Sequence, residues 1–201
     1  MATHALAEDA RFTVAPLAGA ILFDEALGDF AWARGPHPVW GAELNARFGR
    51  FHAGTRFWRT GTTQDAGFAG AALGANESSD VVLQSVQMTG GFTLFRRAAT
   101  SFGLVASAGH LGMRYEPSFV EYAIEGTSET VRVDFAPIDE WIGGAGFSLQ
   151  QGIGGKFSFR GEVESVFFSL DTDHRDGDEI VSERSRFQNW IARASLSYRL
   201  L

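Results

Sequence analysis

The stretch Val39-Trp40-Gly41-Ala42-Glu43-Leu44-Asn45-Ala46-Arg47-Phe48-Gly49-Arg50-Phe51 decides the fold. Trp40, Ala42, Leu44, Ala46 and Phe48 fall on one parity, and Gly41, Glu43, Asn45 and Arg47 on the other. Side chains two residues apart share a face only on an extended strand, so 39–48 predicts a β-strand with one apolar and one charged face. Only Gly49-Arg50 separates it from the next segment, Phe51 to Thr60, and so short a link joins antiparallel neighbours.

The same character spreads along the chain. Turn signals divide it into eight segments: 12–23, 39–48, 51–60, 81–95, 102–115, 141–150, 156–170 and 186–201. The links between them run long, short, long, short, long, short, long. The short ones are Gly49-Arg50, Arg96 to Ser101 and Gly152-Ile153-Gly154-Gly155. The long ones are Asp24 to Pro38, Gly61 to Asp80, Glu116 to Glu140 and Asp171 to Arg184. Short turns at one end and long loops at the other are the habit of outer-membrane barrels, and an even strand number brings both termini to one side. The expected fold is therefore all-β: a closed antiparallel up-and-down transmembrane barrel of about eight strands. Residues 1–10 are expected to be a flexible N-terminal segment and 11–201 a single barrel domain.

Alternation recurs in the later segments. Phe157, Phe159, Gly161, Val163 and Phe167 oppose Ser158, Arg160, Glu162 and Glu164. Trp190, Ala192, Ala194, Leu196, Tyr198 and Leu200 oppose Arg193, Ser195, Ser197 and Arg199. Val86, Met88, Phe92 and Leu94 oppose Ser85, Gln87, Thr89 and Thr93. A cation facing lipid at the bilayer midplane costs roughly 2–4 kcal/mol. Glu43, Arg47, Arg160, Glu162, Glu164, Arg193 and Arg199 are accordingly expected to form a charge network inside the barrel. Trp40, Phe48, Phe51, Phe157, Phe159, Trp190, Leu196 and Tyr198 are expected to face lipid or to form the aromatic girdles. Segments 12–23 and 102–115 carry small or apolar residues on both parities, which leaves their faces open. The last segment also has apolar residues at helical spacing (Phe187, Trp190, Ile191, Ala194, Tyr198, Leu201); the alternation of Ser195 and Ser197 with Leu196 and Tyr198 favours the strand.

Composition sets limits. The 201 residues include 24 Gly, 18 Phe and 5 Trp but only 5 Pro, a balance that suits curved strands. The net charge of −7 argues against a nucleic-acid partner, because phosphate binding needs a basic surface. With no cysteine, disulfides and thiolate metal sites are excluded. No run of about 18 apolar residues exists, so no transmembrane helix is expected. No signal peptide is visible, and export is inferred from the fold.

These segments reach a known family. The chain resembles the eight-stranded outer-membrane barrels of the OmpA, OmpX and OmpW type over nearly its whole length. The carriers are the loop rhythm, the opening Phe12-Thr13-Val14-Ala15-Pro16-Leu17-Ala18-Gly19, and the closing Ala194-Ser195-Leu196-Ser197-Tyr198-Arg199-Leu200-Leu201. The resemblance implies a bacterial outer-membrane location, contact with membrane lipid and lipopolysaccharide, and insertion by machinery that reads the last strand. The chain departs from the family pattern in ending on Leu200-Leu201 where a terminal aromatic is usual. The resemblance implies a non-enzymatic, envelope-structural, surface-interaction or narrow small-solute role, a monomer, and no cofactor.

Few residues suggest chemistry. The histidines are His4, His37, His52, His110 and His174. Lipid-modifying enzymes on small barrels pair a His with a Ser and a carboxylate near the outer rim, and His110 with Ser118 and Glu116 is the one candidate set. His52 is expected inside, near the short-turn end. Asp171-Thr172-Asp173-His174-Arg175-Asp176-Gly177-Asp178-Glu179 is acidic like a calcium loop, but its Gly is out of register for an EF-hand, leaving at most a divalent ion held loosely by acidic outer loops. Gly152-Ile153-Gly154-Gly155-Lys156 lacks the first Gly and the Ser/Thr of a phosphate loop and is expected to be a turn. Asn76-Glu77-Ser78 matches a glycosylation sequon and carries no weight in a bacterial chain. A different class, a soluble lipocalin-like carrier, would need an apolar lumen with Arg160, Glu162, Glu164 and Arg193 pointing outward.

Overall fold

The computed structural model describes residues 11–24, 30–66, 72–76, 78–123, 128, 130–176 and 179–200. The expected N-terminal segment 1–10, with His4, lies outside them. Twelve strands follow in chain order: β1 (Arg11–Leu22), β2 (Phe30–Trp32), β3 (Pro36–Phe48), β4 (Phe51–Ala66), β5 (Ala72–Asn76), β6 (Ser78–Arg97), β7 (Thr100–Glu116), β8 (Phe119–Ala123), β9 (Thr130–Asp134), β10 (Ile138–Gly154), β11 (Phe157–Asp176) and β12 (Glu179–Arg199).

Eight of these close a ring in the order β1-β3-β4-β6-β7-β10-β11-β12, with β12 returning to β1, and every pairing is antiparallel. Closure removes every free sheet edge, which is what lets a sheet sit in hydrocarbon with its backbone satisfied. The seam between first and last strands runs from Thr13 opposite Arg199 to Leu22 opposite Trp190. Within this seam Ala15 and Pro16 are the two residues of β1 for which no partner on β12 is registered; lacking an N–H, Pro16 cannot donate to the ladder there. The short β2 extends the wall by pairing with the outer end of β4. Strands β5, β8 and β9 form a separate small sheet among the long connections.

The three short turns lie at the same end as Arg11 and Arg199. Gly49, at φ 61°, and Gly155, at φ 55°, take the left-handed backbone that these turns need. At the other end the strands run further than the turn signals suggest. Residues 61–66 and 78–80 belong to β4 and β6, and 171–176 and 179–184 to β11 and β12. The stretch from Glu116 to Glu140 likewise contains β8, β9 and the start of β10. The long acidic loops of the sequence reading are thus largely hairpin. Polar residues mark the point where a strand leaves the bilayer, not the point where pairing stops. The last segment is a strand from Arg186 to Arg199, and the helical spacing of its apolar residues has another origin: Ile191 and Phe187 point inward while Trp190, Leu196 and Tyr198 point outward.

The structure also settles the faces of the two ambiguous segments. In β1, Ala15, Leu17 and Ile21 are buried while Phe12, Val14 and Leu22 are exposed. In β7, Val105, Leu111 and Met113 are buried while Phe102 and Leu104 are exposed. Both parities are apolar because the outer half of the lumen is itself apolar. Ile21, Val39, Trp58, Leu83, Leu111, Met113, Ile142, Val166, Phe168 and Ile191 form a dry plug there. Trp32 completes it, stacking at 6.1 and 6.2 Å between centroids on Phe168 and Phe187, with Phe23 edge-on at 4.2 Å.

Outside, the wall is an apolar band. Trp40, Leu44, Phe48, Phe51, Phe57, Val86, Met88, Trp141, Phe147, Phe159, Val163, Trp190 and Leu196 all project away from the lumen. Leu196 stands directly opposite Phe159. Leu196→Arg is expected to destabilise the barrel refolded in lipid vesicles by about 2–4 kcal/mol, read from urea titration; a change under about 0.5 kcal/mol, the size of an ordinary surface substitution, would contradict the outward parity of β12.

Candidate functional site: the charged lumen and the two rims

The inward parity of β3, β4, β11 and β12 carries the centre of the molecule. Glu43 stands opposite Arg56 across the β3–β4 hairpin, and Glu162 opposite Arg193 across β11–β12. Opposite charges directly across a ladder attract, and a narrow lumen presses the two hairpins against each other. Arg56 lies 2.7 Å from Glu162, 3.3 Å from Glu43 and 3.2 Å from Glu164. Arg193 lies 2.7 Å from Glu162 and also contacts Glu164. Arg160 reaches Glu162 at 2.8 Å, and its guanidinium sits 3.2 Å from His52 Nε2. Ser195 donates to Glu43 at 2.9 Å, and Ser107 donates to Glu164.

Three carboxylates thus meet three guanidiniums, all of them buried. Isolated, each buried ion would cost several kcal/mol of desolvation; together they neutralise one another. Space for them comes from small neighbours. A Cβ on Gly144 would collide with Glu164 Oε1 and press on Ser107 Oγ. Any side chain there would displace the carboxylate that two arginines share.

Five of the seven charges expected inside, namely Glu43, Arg160, Glu162, Glu164 and Arg193, belong to this cluster. Arg47 and Arg199 share its parity but lie nearer the turn end. Arg47 donates to Thr93 at 2.9 Å and to Gln150 at 3.3 Å, and Arg199 donates to Gly155 O at 2.9 Å. The sequence reading missed Arg56, the hub. Its parity in β4 reads His52, Gly54, Arg56, Trp58, Thr60, too mixed to declare a face. The signal was the hairpin register: with Gly49-Arg50 as a two-residue turn, Phe48 pairs with Phe51 and Glu43 must meet Arg56.

The residues expected at the lipid face, Trp40, Phe48, Phe51, Phe157, Phe159, Trp190, Leu196 and Tyr198, are all exposed on the outer wall. Phe157 packs on Tyr198 with centroids 5.2 Å apart. With Arg160, Glu162, Glu164 and Arg193 pointing inward and the outer lumen filled, the soluble-carrier alternative has neither the outward charges nor the open apolar lumen it requires.

The His110, Ser118 and Glu116 set expected at the outer rim is not brought together. His110 projects outward from β7, its ring tilted against Trp141 with centroids 4.1 Å apart and its Nδ1 3.6 Å from Asp139. Glu116 lies six residues further along the same strand, roughly 20 Å away at the rise of an extended chain, and Ser118 lies beyond it. No triad can form. In the acidic hairpin, Asp171 and Glu140 both pair with Arg184, at 3.1 and 2.8 Å, and these carboxylates raise its pKa above the ordinary value. Among the described residues no group of three or more His, Asp or Glu side chains gathers to hold a metal ion; Gly177, Asp178 and the side chains of 172–182, including His174, lie outside them.

No protein-family model and no curated protein matches the sequence. Solved structures match in form. Neisserial surface protein A is 8% identical, with a TM-score of 0.56 over 93% of this chain and 96% of that one. The outer-membrane protein AlkL, determined in lipid bilayers, is 13% identical, with a TM-score of 0.58 over 94% of this chain and 90% of that one. OprG from Pseudomonas aeruginosa is 9% identical, with a TM-score of 0.58 over 94% and 95%. At such identities the likeness is one of fold: the chain has the architecture of the small eight-stranded outer-membrane barrels.

Removing one partner from the lumen cluster leaves buried charge uncompensated. Arg56→Ala is expected to destabilise the refolded barrel by about 3–5 kcal/mol. Arg199→Ala, which frees only a rim carbonyl, is expected to cost under about 1.5 kcal/mol in the same urea titration. Equal losses for the two would contradict the central place of Arg56.

Proposed function

We propose that the chain is an integral protein of the bacterial outer membrane, monomeric and non-enzymatic, with a structural or surface-interaction role in the envelope. One observation carries this reading: a continuous apolar outer wall encloses a lumen filled by a charged layer and an apolar plug in series. Such a wall needs lipid, and such a lumen leaves no water path. The short turns then face the periplasm and the long hairpins face outward. Passage of even small solutes is disfavoured by the plug. Reconstituted in planar bilayers, the barrel is expected to insert without stable ohmic conductance; steady channels would contradict the sealed lumen.

Contact with lipopolysaccharide follows from the outer wall. Arg59, Arg114 and Arg186 project outward from β4, β7 and β12, and His110 joins them. Arg59 lies 5.9 Å over the Trp40 ring, at the level where an aromatic belt meets headgroups. Cations at this height suit the phosphates of the outer leaflet. Insertion machinery would engage β12, whose outward Trp190, Leu196 and Tyr198 border the β1 seam. The combined change Arg59→Gln, Arg114→Gln and Arg186→Gln is expected to weaken co-purification with lipopolysaccharide while leaving folded yield intact. Unchanged co-purification would remove this contact.

A further inference from the structure

The turn end of the barrel opens into a cavity of about 630 Å³ whose charged lining, among the described residues, is cationic: Arg11, Arg47, Arg96, Lys156 and Arg199. Among the described residues no carboxylate lines it. The volume falls within the ~300–1,000 Å³ of small-molecule sites. The chain as a whole carries −7, yet every described carboxylate lies in the lumen cluster or toward the outer end. The positive mouth is therefore a local arrangement and not a reflection of composition.

Three further features make the mouth a site. Its floor is closed: a smaller pocket bounded by Arg47, His52 and Arg160 lies beneath it, then the neutralised cluster, then the plug. Among the described residues, Arg47, between mouth and floor, has only neutral partners, Thr93 and Gln150, and its buried Nε has no hydrogen-bond partner. Arg96, Arg11 and Arg160 all repel it. Like charges gathered at a closed, low-dielectric concavity focus a field that attracts anions. Finally, the outward positions at this level are aromatic (Phe12, Phe48, Phe157, Tyr198), with Lys156 5.7 Å over the Tyr198 ring, so lipid meets rings while Arg47, Arg96 and Arg199 front the aqueous mouth. That geometry favours a soluble anion over a lipid headgroup.

We infer that the blind mouth at the turn end binds a soluble small molecule bearing two or more phosphate or carboxylate groups, held by Arg47, Arg96 and Arg199. The site is defined by the fold; only its exposure to the periplasm rests on the proposed orientation. Occupancy would relieve the mutual repulsion of the arginines and so stabilise the barrel.

The test is calorimetric titration of inorganic tripolyphosphate, and separately of citrate, into the full chain refolded in zwitterionic detergent at low ionic strength. Saturable binding is expected, weakening as salt shortens the Debye length. Arg96→Gln, at an exposed position, and Arg47→Gln are each expected to weaken it by about tenfold, the loss of one charge-assisted contact. Arg132→Gln, at the outer end, is expected to leave it unchanged. Heat-modifiable gel mobility checks that each variant folds. Absence of binding, binding indifferent to Arg96→Gln, or displacement by phosphatidylglycerol at low mole fraction would each overturn the inference. None of these results bears on membrane integration, which the refolding and conductance experiments test separately.

Discussion

Everything in this molecule depends on keeping ions out of lipid by turning them inward. Glu43, Arg56, Arg160, Glu162, Glu164 and Arg193 occupy a lumen so narrow that their side chains meet across it. A one-residue slip in β3, β4, β11 or β12 would reverse its faces, exposing a charge to hydrocarbon and burying an aromatic among guanidiniums. The register of these four strands is thus specified twice, from inside and from outside. The hairpin pairs Glu43–Arg56 and Glu162–Arg193 secure it locally, and the contact of Arg56 with Glu162 and Glu164 ties the two hairpins together. Such a cluster adds little net stability against an apolar alternative of the same shape. Its contribution is to exclude other registers.

The lumen changes character along its axis, and this sets what the protein can do. From the turn end it passes from a cationic mouth, through a neutralised ionic layer, to an apolar plug capped by Trp32, Phe168 and Phe187. The layers do different work. The mouth attracts anions, the ionic layer fixes register, and the plug seals. A barrel with this sequence of layers is a stopper with two distinct faces, and its functions belong to those faces.

Much of this was legible in the sequence. Alternation in 39–48, 156–170 and 186–201, with the rhythm of short and long links, was enough for a closed barrel of eight strands and for its outward residues. What stayed hidden has physical causes. The faces of β1 and β7 could not be read because Ile21, Leu111 and Met113 point into an apolar plug while Leu22 and Leu104 point to lipid; two apolar environments erase the contrast on which parity depends. Strand ends were misjudged at the outer side because residues such as Asp171 and Glu183 remain paired after leaving the bilayer. Arg56 was hidden in a mixed face, and only register revealed it.

The alternation itself is the claim most open to direct measurement. The chain has no cysteine, so single cysteines can carry a spin label without interference. With labels at successive positions from 193 to 198 in reconstituted bilayers, collision with lipid-soluble oxygen should peak at 194, 196 and 198 and fall at 193, 195 and 197. An absent or inverted alternation would contradict a barrel that faces lipid with Leu196 and encloses Arg193.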